Sequence, residues 1–194
     1  MNLGLNKQQA DQLVDQYITN PITKYHLLET ETIMRALAER FGENEEEWGI
    51  IGLLHDIDWD LTKANPKEHL TKAPDILKQA SGSDELIDVI ISHGYGQPAC
   101  GAPQDRQRKT KLEHALAAAE TLTGLIVAAA LVQPDKKLAS VSPQSLLKKF
   151  KSKSFAANCK RDIIMECEKI GISLEQFLEL SLKALQAEAT KFGL

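Results

Sequence analysis

The strongest constraint on the fold of this chain is an apolar run, residues 48–54, that ends in the polar pair His55 and Asp56. Such a run predicts a buried helix, so both polar side chains arrive at the protein interior. An unpaired charge in a dry interior costs several kcal/mol. His55 and Asp56 therefore require partners from other parts of the chain.

Signals for helix starts and stops follow one another along the chain, and no segment pair has the alternating pattern of strands. Helices are predicted over residues 6–18, 23–41, 44–56, 66–79 (kinked or split at Pro74), 84–93, 109–132, 154–170 and 173–192, with a short helix opening at Ser142 and Pro143. The one substantial loop, residues 94–108, is rich in Gly, Pro and Gln, which is typical of functional or mobile segments. The predicted fold is all-α, a bundle of about eight to nine helices.

Composition sets limits on the class of protein. A net charge of −4 argues against general nucleic-acid binding, and three cysteines without a CxxC motif indicate a reducing compartment. No apolar segment of a signal peptide is present near Met1, so we expect a cytoplasmic protein. The apolar run 122–132 is too short to span a bilayer and predicts a buried core helix. The length suits a single domain, 1–194, with a core at about 20–132 and a basic helical extension, 133–194, packed on it.

Four of the five histidines lie upstream of residue 94, each on a different predicted helix, namely His26, His55, His69 and His93. This pattern predicts a metal site in a cleft between helices. Consecutive helical residues point about 100° apart, so His55 and Asp56 reach one ion only beside the helix end. His26 and Glu120 are candidates to complete the site. Imidazole and carboxylate donors favour Fe, Mn, Ni, Co or Zn, and an octahedral mixed site with open positions favours Fe or Mn over structural zinc.

The segment Gly52-Leu53-Leu54-His55-Asp56-Ile57-Asp58, with His26 before it and a carboxylate far downstream, resembles the HD-domain superfamily of metal-dependent phosphohydrolases. Residues 122–132 and 134–137 resemble a small branch of predicted hydrolases within it. The resemblance covers most of the chain. It implies hydrolysis of a phosphorylated small molecule, most plausibly a nucleotide, by metal-activated water.

The resemblance also implies site residues. The implied metal ligands, for one or two ions, are His26, His55, Asp56, His69, His93 and Glu120. Asp56 would bridge two ions, with His69 and His93 on the second, and Asp56 and Asp58 are the implied catalytic residues. The last ligand of the family is normally Asp. Glu120 adds a methylene group, which moves the carboxylate outward by about 1.5 Å.

Residues 136–161 carry eight lysines and arginines and no acidic residue. A basic segment of this kind can attract an anionic substrate towards a metal site. The predicted substrate-binding residues are Lys148, Lys151, Lys153 and Lys160. A solvated helix face is the alternative interpretation.

Other interpretations stay open for the function as well. The replacement of Asp by Glu120 motivates a catalytically silent module that binds a metal or a nucleotide. A third interpretation is a helical scaffold whose histidines are hydrogen-bonded core residues. Asp58 and Asp60 fit either a role near the metal or a solvated turn, and His114 is expected at the surface. The oligomeric state is not predicted.

Overall fold

The computed structural model describes all 194 residues and is entirely helical, as the sequence predicts. Eight α-helices have seven or more residues, and two are single turns. In chain order they are α1 Lys7–Tyr17, α2 Pro21–Phe41, α3 Glu45–Leu54, α4 Trp59–Thr62, α5 Ala73–Gln79, α6 Asp84–Ser92, α7 Lys111–Leu131, α8 Pro143–Lys151, α9 Arg161–Ile164 and α10 Leu174–Ala187. Short 3-10 turns lie at Pro66–Glu68, Leu138–Ser140, Met165–Ile170 and Ala189–Phe192.

Local capping signals fix several helix ends. The side chain of Asn44 accepts two backbone N–H groups of the first turn of α3. Ser173 and Gln176 form a capping box at the start of α10. Gly42 ends α2 with a φ of 67°, a left-handed conformation that glycine adopts without the steric cost of a Cβ. These ends lie where the sequence predicts them because capping depends on near neighbours only.

Helices α2 and α3 approach each other closely at Gly52. A Cβ on Gly52 would lie 2.9 Å from the backbone carbonyl oxygen of Thr30 in α2. Any side chain at this position would therefore push the two helices apart. Because α3 ends two residues later, at Leu54, the close approach sets His55 directly beside α2.

Helix α7 is the central helix and contacts α2, α6, α8 and α9. Its alanines from Ala115 to Ala119 are fully buried and small, which lets the neighbouring helices approach closely. By length and composition alone α7 is able to cross a membrane, but two thirds of its most apolar stretch is buried inside the protein. Burial of this extent is typical of a core helix, as the sequence predicts for residues 122–132.

Residues 133–194 share a hydrophobic core with the preceding part of the chain. One cluster of 50 buried apolar residues extends from Leu3 to Phe192. Helix α10 packs on α2 and α8, and the turn Met165–Ile170 packs on α7. The division into a core at 20–132 and an extension at 133–194 stays an interpretation of the sequence.

The prediction of one helix over residues 154–170 is wrong. Residues 152–160 form a series of turns, and only the four residues of α9 are α-helical before the 3-10 turn that ends at Ile170.

Arg161 accounts for this difference. Its guanidinium donates hydrogen bonds to the backbone carbonyls of Lys149, Phe150, Ser152, Phe155, Ala156 and Cys159. These carbonyls surround one cation, which a straight helix does not permit because its carbonyls all point along the axis. The resulting 152–160 loop lies beside the site described next.

Candidate metal centre

The contact between α2 and α3 brings two histidines together. His26 lies in α2, and His55 directly follows the last residue of α3. Their Nε2 atoms are 3.0 Å apart. His55 is fully buried, whereas His26 forms part of a cavity wall.

Asp56 lies between this pair of histidines and a second pair. Its Oδ1 is 3.6 Å from Nε2 of His55 and its Oδ2 is 3.8 Å from Nε2 of His26. The same Oδ1 is 3.2 Å from Nε2 of His69 and 3.3 Å from Nε2 of His93. The five side chains form two groups, each with ligand atoms within 4.8 Å of one another, and Asp56 belongs to both. If two ions were bound, a carboxylate shared in this way could contact both.

Two of the histidines are oriented by backbone carbonyls. Nδ1 of His55 lies 2.7 Å from the carbonyl oxygen of Gly52, and Nδ1 of His93 lies 2.7 Å from that of Ile90. A carbonyl oxygen only accepts hydrogen bonds, so each Nδ1 carries a proton and donates it. In the neutral ring, Nε2 then presents its lone pair on the side of Asp56.

The orientation of His26 follows from two linked hydrogen bonds. The hydroxyl of Thr123 donates to the backbone carbonyl of Glu120 at 2.7 Å and lies 2.9 Å from Nδ1 of His26. Because its one proton is already used, the hydroxyl accepts from Nδ1–H of His26. His26 therefore also presents an Nε2 lone pair. Thr123 was missed by the sequence reasoning, although its spacing of three from Glu120 places both on one side of α7.

His69 is held by Asp58. Oδ1 of Asp58 accepts from Nδ1 of His69 at 2.9 Å, and its Oδ2 accepts the backbone N–H groups of Lys72 and Ala73. Asp58 is fully buried, so its interpretation as a solvated turn residue is wrong. It lies behind His69 and does not line the cavity. A catalytic role for Asp58 stays a prediction, and it would act through His69.

The charges of the centre depend on burial and on neighbouring groups. Burial lowers the pKa of His55 to about 3. Burial also opposes a charge on His69, but the carboxylates of Asp56 and Asp58 raise its pKa to about 10. Burial alone would raise the pKa of Asp56, yet the imidazoles of His55 and His69 hold it well below its usual range. The centre thus contains an ionised carboxylate and favours positive charge beside it.

This donor set fits a divalent transition metal. The neutral rings of His26 and His55 face each other through Nε2 lone pairs with no proton to share, and a cation between them would relieve that repulsion. Imidazole and carboxylate ligands suit the predicted Fe, Mn, Ni, Co or Zn. No cysteine belongs to either ligand group. The centre can therefore hold a metal, and which metal it holds stays a prediction.

A polar cavity of about 310 Å³ opens beside the centre. The residues on the metal side are His26, Asp56, Trp59, His69 and His93. The remaining wall includes Gly94, Gln97 and Cys100 from the 94–108 loop, Glu120, Thr121, Thr123 and Gly124 from α7, and Asn158, Cys159, Lys160 and Ile163. The cavity is thus bounded by the metal centre, by α7 and by two loops.

Glu120 lines this cavity but belongs to neither ligand group. Its carboxylate accepts a hydrogen bond from the hydroxyl of Thr121, and burial raises its pKa. Direct coordination of a metal by Glu120 stays a prediction.

The four lysines predicted to bind substrate lie in different places. Lys160 lines the cavity, and its Nζ is 3.5 Å from Oε1 of Gln97 across the mouth. Lys148, Lys151 and Lys153 are exposed and do not line it. A substrate contact in this cavity is therefore open to Lys160 alone among the four.

Two polar residues near the site differ from their sequence interpretation. His114 is buried, and its Nδ1 lies 2.6 Å from Oε2 of Glu166, so the expectation of a surface residue is wrong. Asp60 accepts the backbone N–H groups of Thr19 and Asn20 at 2.8 and 2.7 Å. It anchors the start of α2 and is not a solvated turn residue.

Comparison with known proteins identifies the family. The family profile described as the HD domain matches residues 23–130, more than half of the chain. No curated protein and no solved structure matches the chain. The matched residues contain both ligand groups and all of α7 except its last residue. The chain therefore belongs to the HD-domain family, within the superfamily of metal-dependent phosphohydrolases.

Proposed function

We propose that this protein is a metal-dependent phosphohydrolase that acts on a small phosphorylated molecule, most plausibly a nucleotide. The observation that carries the proposal is the position of Asp56, which belongs to two histidine groups at the base of a polar cavity. Two-metal sites that share a carboxylate are suited to displacement at phosphorus.

The histidines of the centre are held in fixed orientations that suit this chemistry. Hydrogen bonds from Nδ1 fix the orientation of the four histidines, so that each ring has its Nε2 atom towards Asp56 or a neighbouring histidine. Such fixed orientation lowers the reorganisation needed during the reaction. When bound, a divalent ion would polarise a phosphoryl oxygen and acidify a water molecule.

The cavity lining supports an anionic substrate with a flat ring. Lys160 is the one lysine or arginine that lines the cavity, and its position at the mouth suits a phosphate group or a polar part of the leaving group. Trp59 also lines the cavity, with its ring centroid 5.0 Å from that of His69. An aromatic ring beside a metal centre offers a contact surface for a nucleobase.

A silent metal-binding module is the second candidate. Glu120 favours it, because a half-buried carboxyl whose pKa is raised by desolvation and that accepts from Thr121 is a poor metal ligand. The third interpretation, a scaffold with core histidines, requires a chain that binds no metal.

The test combines metal analysis with a phosphatase panel. Protein purified without a histidine tag should contain divalent metal and, with Mn²⁺ added, should hydrolyse phosphate esters, with nucleotides among the best substrates. Lys160→Ala should raise KM for an anionic substrate and leave the metal content unchanged. Lys153→Ala is the matched control and should leave both KM and the metal content unchanged.

Each outcome selects one candidate. Bound metal without turnover of any ester would contradict the phosphohydrolase and favour the silent module. Absence of metal at saturating Mn²⁺ would leave only the scaffold. An unchanged KM in Lys160→Ala would remove Lys160 from substrate recognition.

A further inference from the structure

A buried arginine lies behind the second histidine pair. Nη1 of Arg108 donates to the backbone carbonyls of Ser92 and Tyr95 at 2.8 and 2.9 Å and is 3.3 Å from that of His93. The Arg108 side chain is only 8% exposed. These carbonyls belong to the end of α6 and the residues after it, which have no further helical turn to bond with. Arg108 therefore caps the C-terminus of α6 and closes the loop that begins there.

The other side of the guanidinium is held by Glu166. Nε and Nη2 of Arg108 donate to the two carboxylate oxygens of Glu166 at 2.7 and 2.6 Å. His114 adds a third contact, with Nδ1 2.6 Å from Oε2 of Glu166. A two-pronged arginine–carboxylate contact fixes both distance and orientation, which a single hydrogen bond does not.

This contact connects two distant parts of the chain. Glu166 lies 58 residues after Arg108 and outside the matched residues 23–130. His93, at the C-terminal end of α6, lies inside them and has its Nε2 3.3 Å from Oδ1 of Asp56. A side chain of the C-terminal region is thus joined through one arginine to the backbone of a predicted metal ligand.

We infer that Arg108 and Glu166 are positioning residues for His93, so that the C-terminal region completes the second metal site. The inference rests on the proposed two-metal centre. Loss of Arg108 would leave the carbonyl of Tyr95 without a hydrogen bond and the Glu166 carboxylate without its two-pronged partner, and the end of α6 would shift to reach water. His93 would move with it, because its Nδ1 is bonded to Ile90 in the same turn.

The test measures Mn²⁺ binding, which does not depend on hydrolysis. Loss of a partner behind a ligand typically weakens metal binding by about 10–100-fold. Arg108→Ala should weaken binding of the second ion by that factor and leave the affinity for the first ion unchanged. Its Mn²⁺ binding should resemble that of His93→Ala. Its electron paramagnetic resonance spectrum should change from that of coupled ions to that of a single ion. The exposed Arg106→Ala is the matched control and should bind as the native chain does.

Two further measurements separate positioning from general stability. Glu166→Gln keeps the side-chain volume and should weaken the second ion alone, so it serves if Arg108→Ala does not fold. Addition of guanidinium at a non-denaturing concentration should restore the second ion to Arg108→Ala, whereas Arg108→Lys should not, because lysine lacks the planar fork.

The inference is overturned if Arg108→Ala and Glu166→Gln fold and bind both ions with native affinity, or if the native chain binds fewer than two. Two bound ions without any hydrolysis would contradict the proposed function and leave the inference standing.

Discussion

At the scale of single residues, the site depends on the partners of the histidines as much as on the histidines themselves. Each Nδ1–H donates a hydrogen bond to one partner, namely Asp58, Thr123 or one of two backbone carbonyls. This contact directs the Nε2 atom of the same ring towards Asp56. The partner of His26 is the least obvious of these, since a threonine hydroxyl donates or accepts according to its other contact. The hydroxyl of Thr123 donates to the backbone carbonyl of Glu120, so it accepts from His26.

Thr123→Val tests this assignment. Valine keeps the shape of threonine but does not accept from His26, so the first ion should bind about 10–100-fold more weakly. The second ion should be unaffected. Isothermal titration with Mn²⁺ measures both, and Thr121→Val is the control because it removes a hydroxyl from the same cavity without contact to His26. Equal weakening by both variants would show that the hydroxyl of Thr123 does not orient the ring.

At the scale of elements, α2 carries an acidic side chain in an unfavourable place. Glu29 is only 5% exposed, and burial raises its pKa to about 8. The folded state therefore retains a proton that the unfolded chain releases near its usual pKa of 4.5. The contribution of this protonated side chain to the free energy of unfolding is fully present below pH 4.5 and is lost as the pH rises through about 8.

Glu29→Gln should remove this dependence. Its gain in unfolding free energy over the native chain should be small near pH 5 and should grow by up to about 1.4 kcal/mol per pH unit towards pH 8. Denaturant unfolding at several pH values measures it. Glu39→Gln, at an exposed position of the same helix, is the control. A gain that stays constant with pH would mean that Glu29 is ionised in the folded protein.

The elements also show what the sequence alone predicts. The helix starts at Asn44 and Ser173 follow from near neighbours, and the His55–Asp56 pair follows from the apolar run before it. Each signal lies within a few residues of the feature that it predicts. The family resemblance adds the ligand set, because the motif extends over several helices.

Features that depend on distant partners were not predictable in the same way. The burial of His114 requires Glu166, 52 residues later. The 152–160 loop replaces a predicted helix because Arg161 gathers carbonyls from α8 onwards. The periodicity of the sequence does not predict which carboxylate contacts a given side chain, so these contacts are seen only in the folded structure.

At the scale of the whole molecule, residues outside the family match form one side of the site. The 152–160 loop contributes Lys160 to the cavity, and Glu166 holds Arg108 behind His93. The hydrophobic core is continuous across this boundary. The two arginines, Arg108 and Arg161, each fix one of the loops beside the cavity. The C-terminal region therefore contributes residues to the site.

If Asp56 is shared by two metal ions, the number of ions that the chain binds depends on which ligand is removed. Equilibrium dialysis against Mn²⁺, followed by elemental analysis, should give two ions per native chain. His26→Ala should lose the first ion only, His93→Ala the second only, and Asp56→Ala both, with the fold of each variant checked by circular dichroism. An Asp56→Ala chain that folds and still binds one or two ions would contradict the claim.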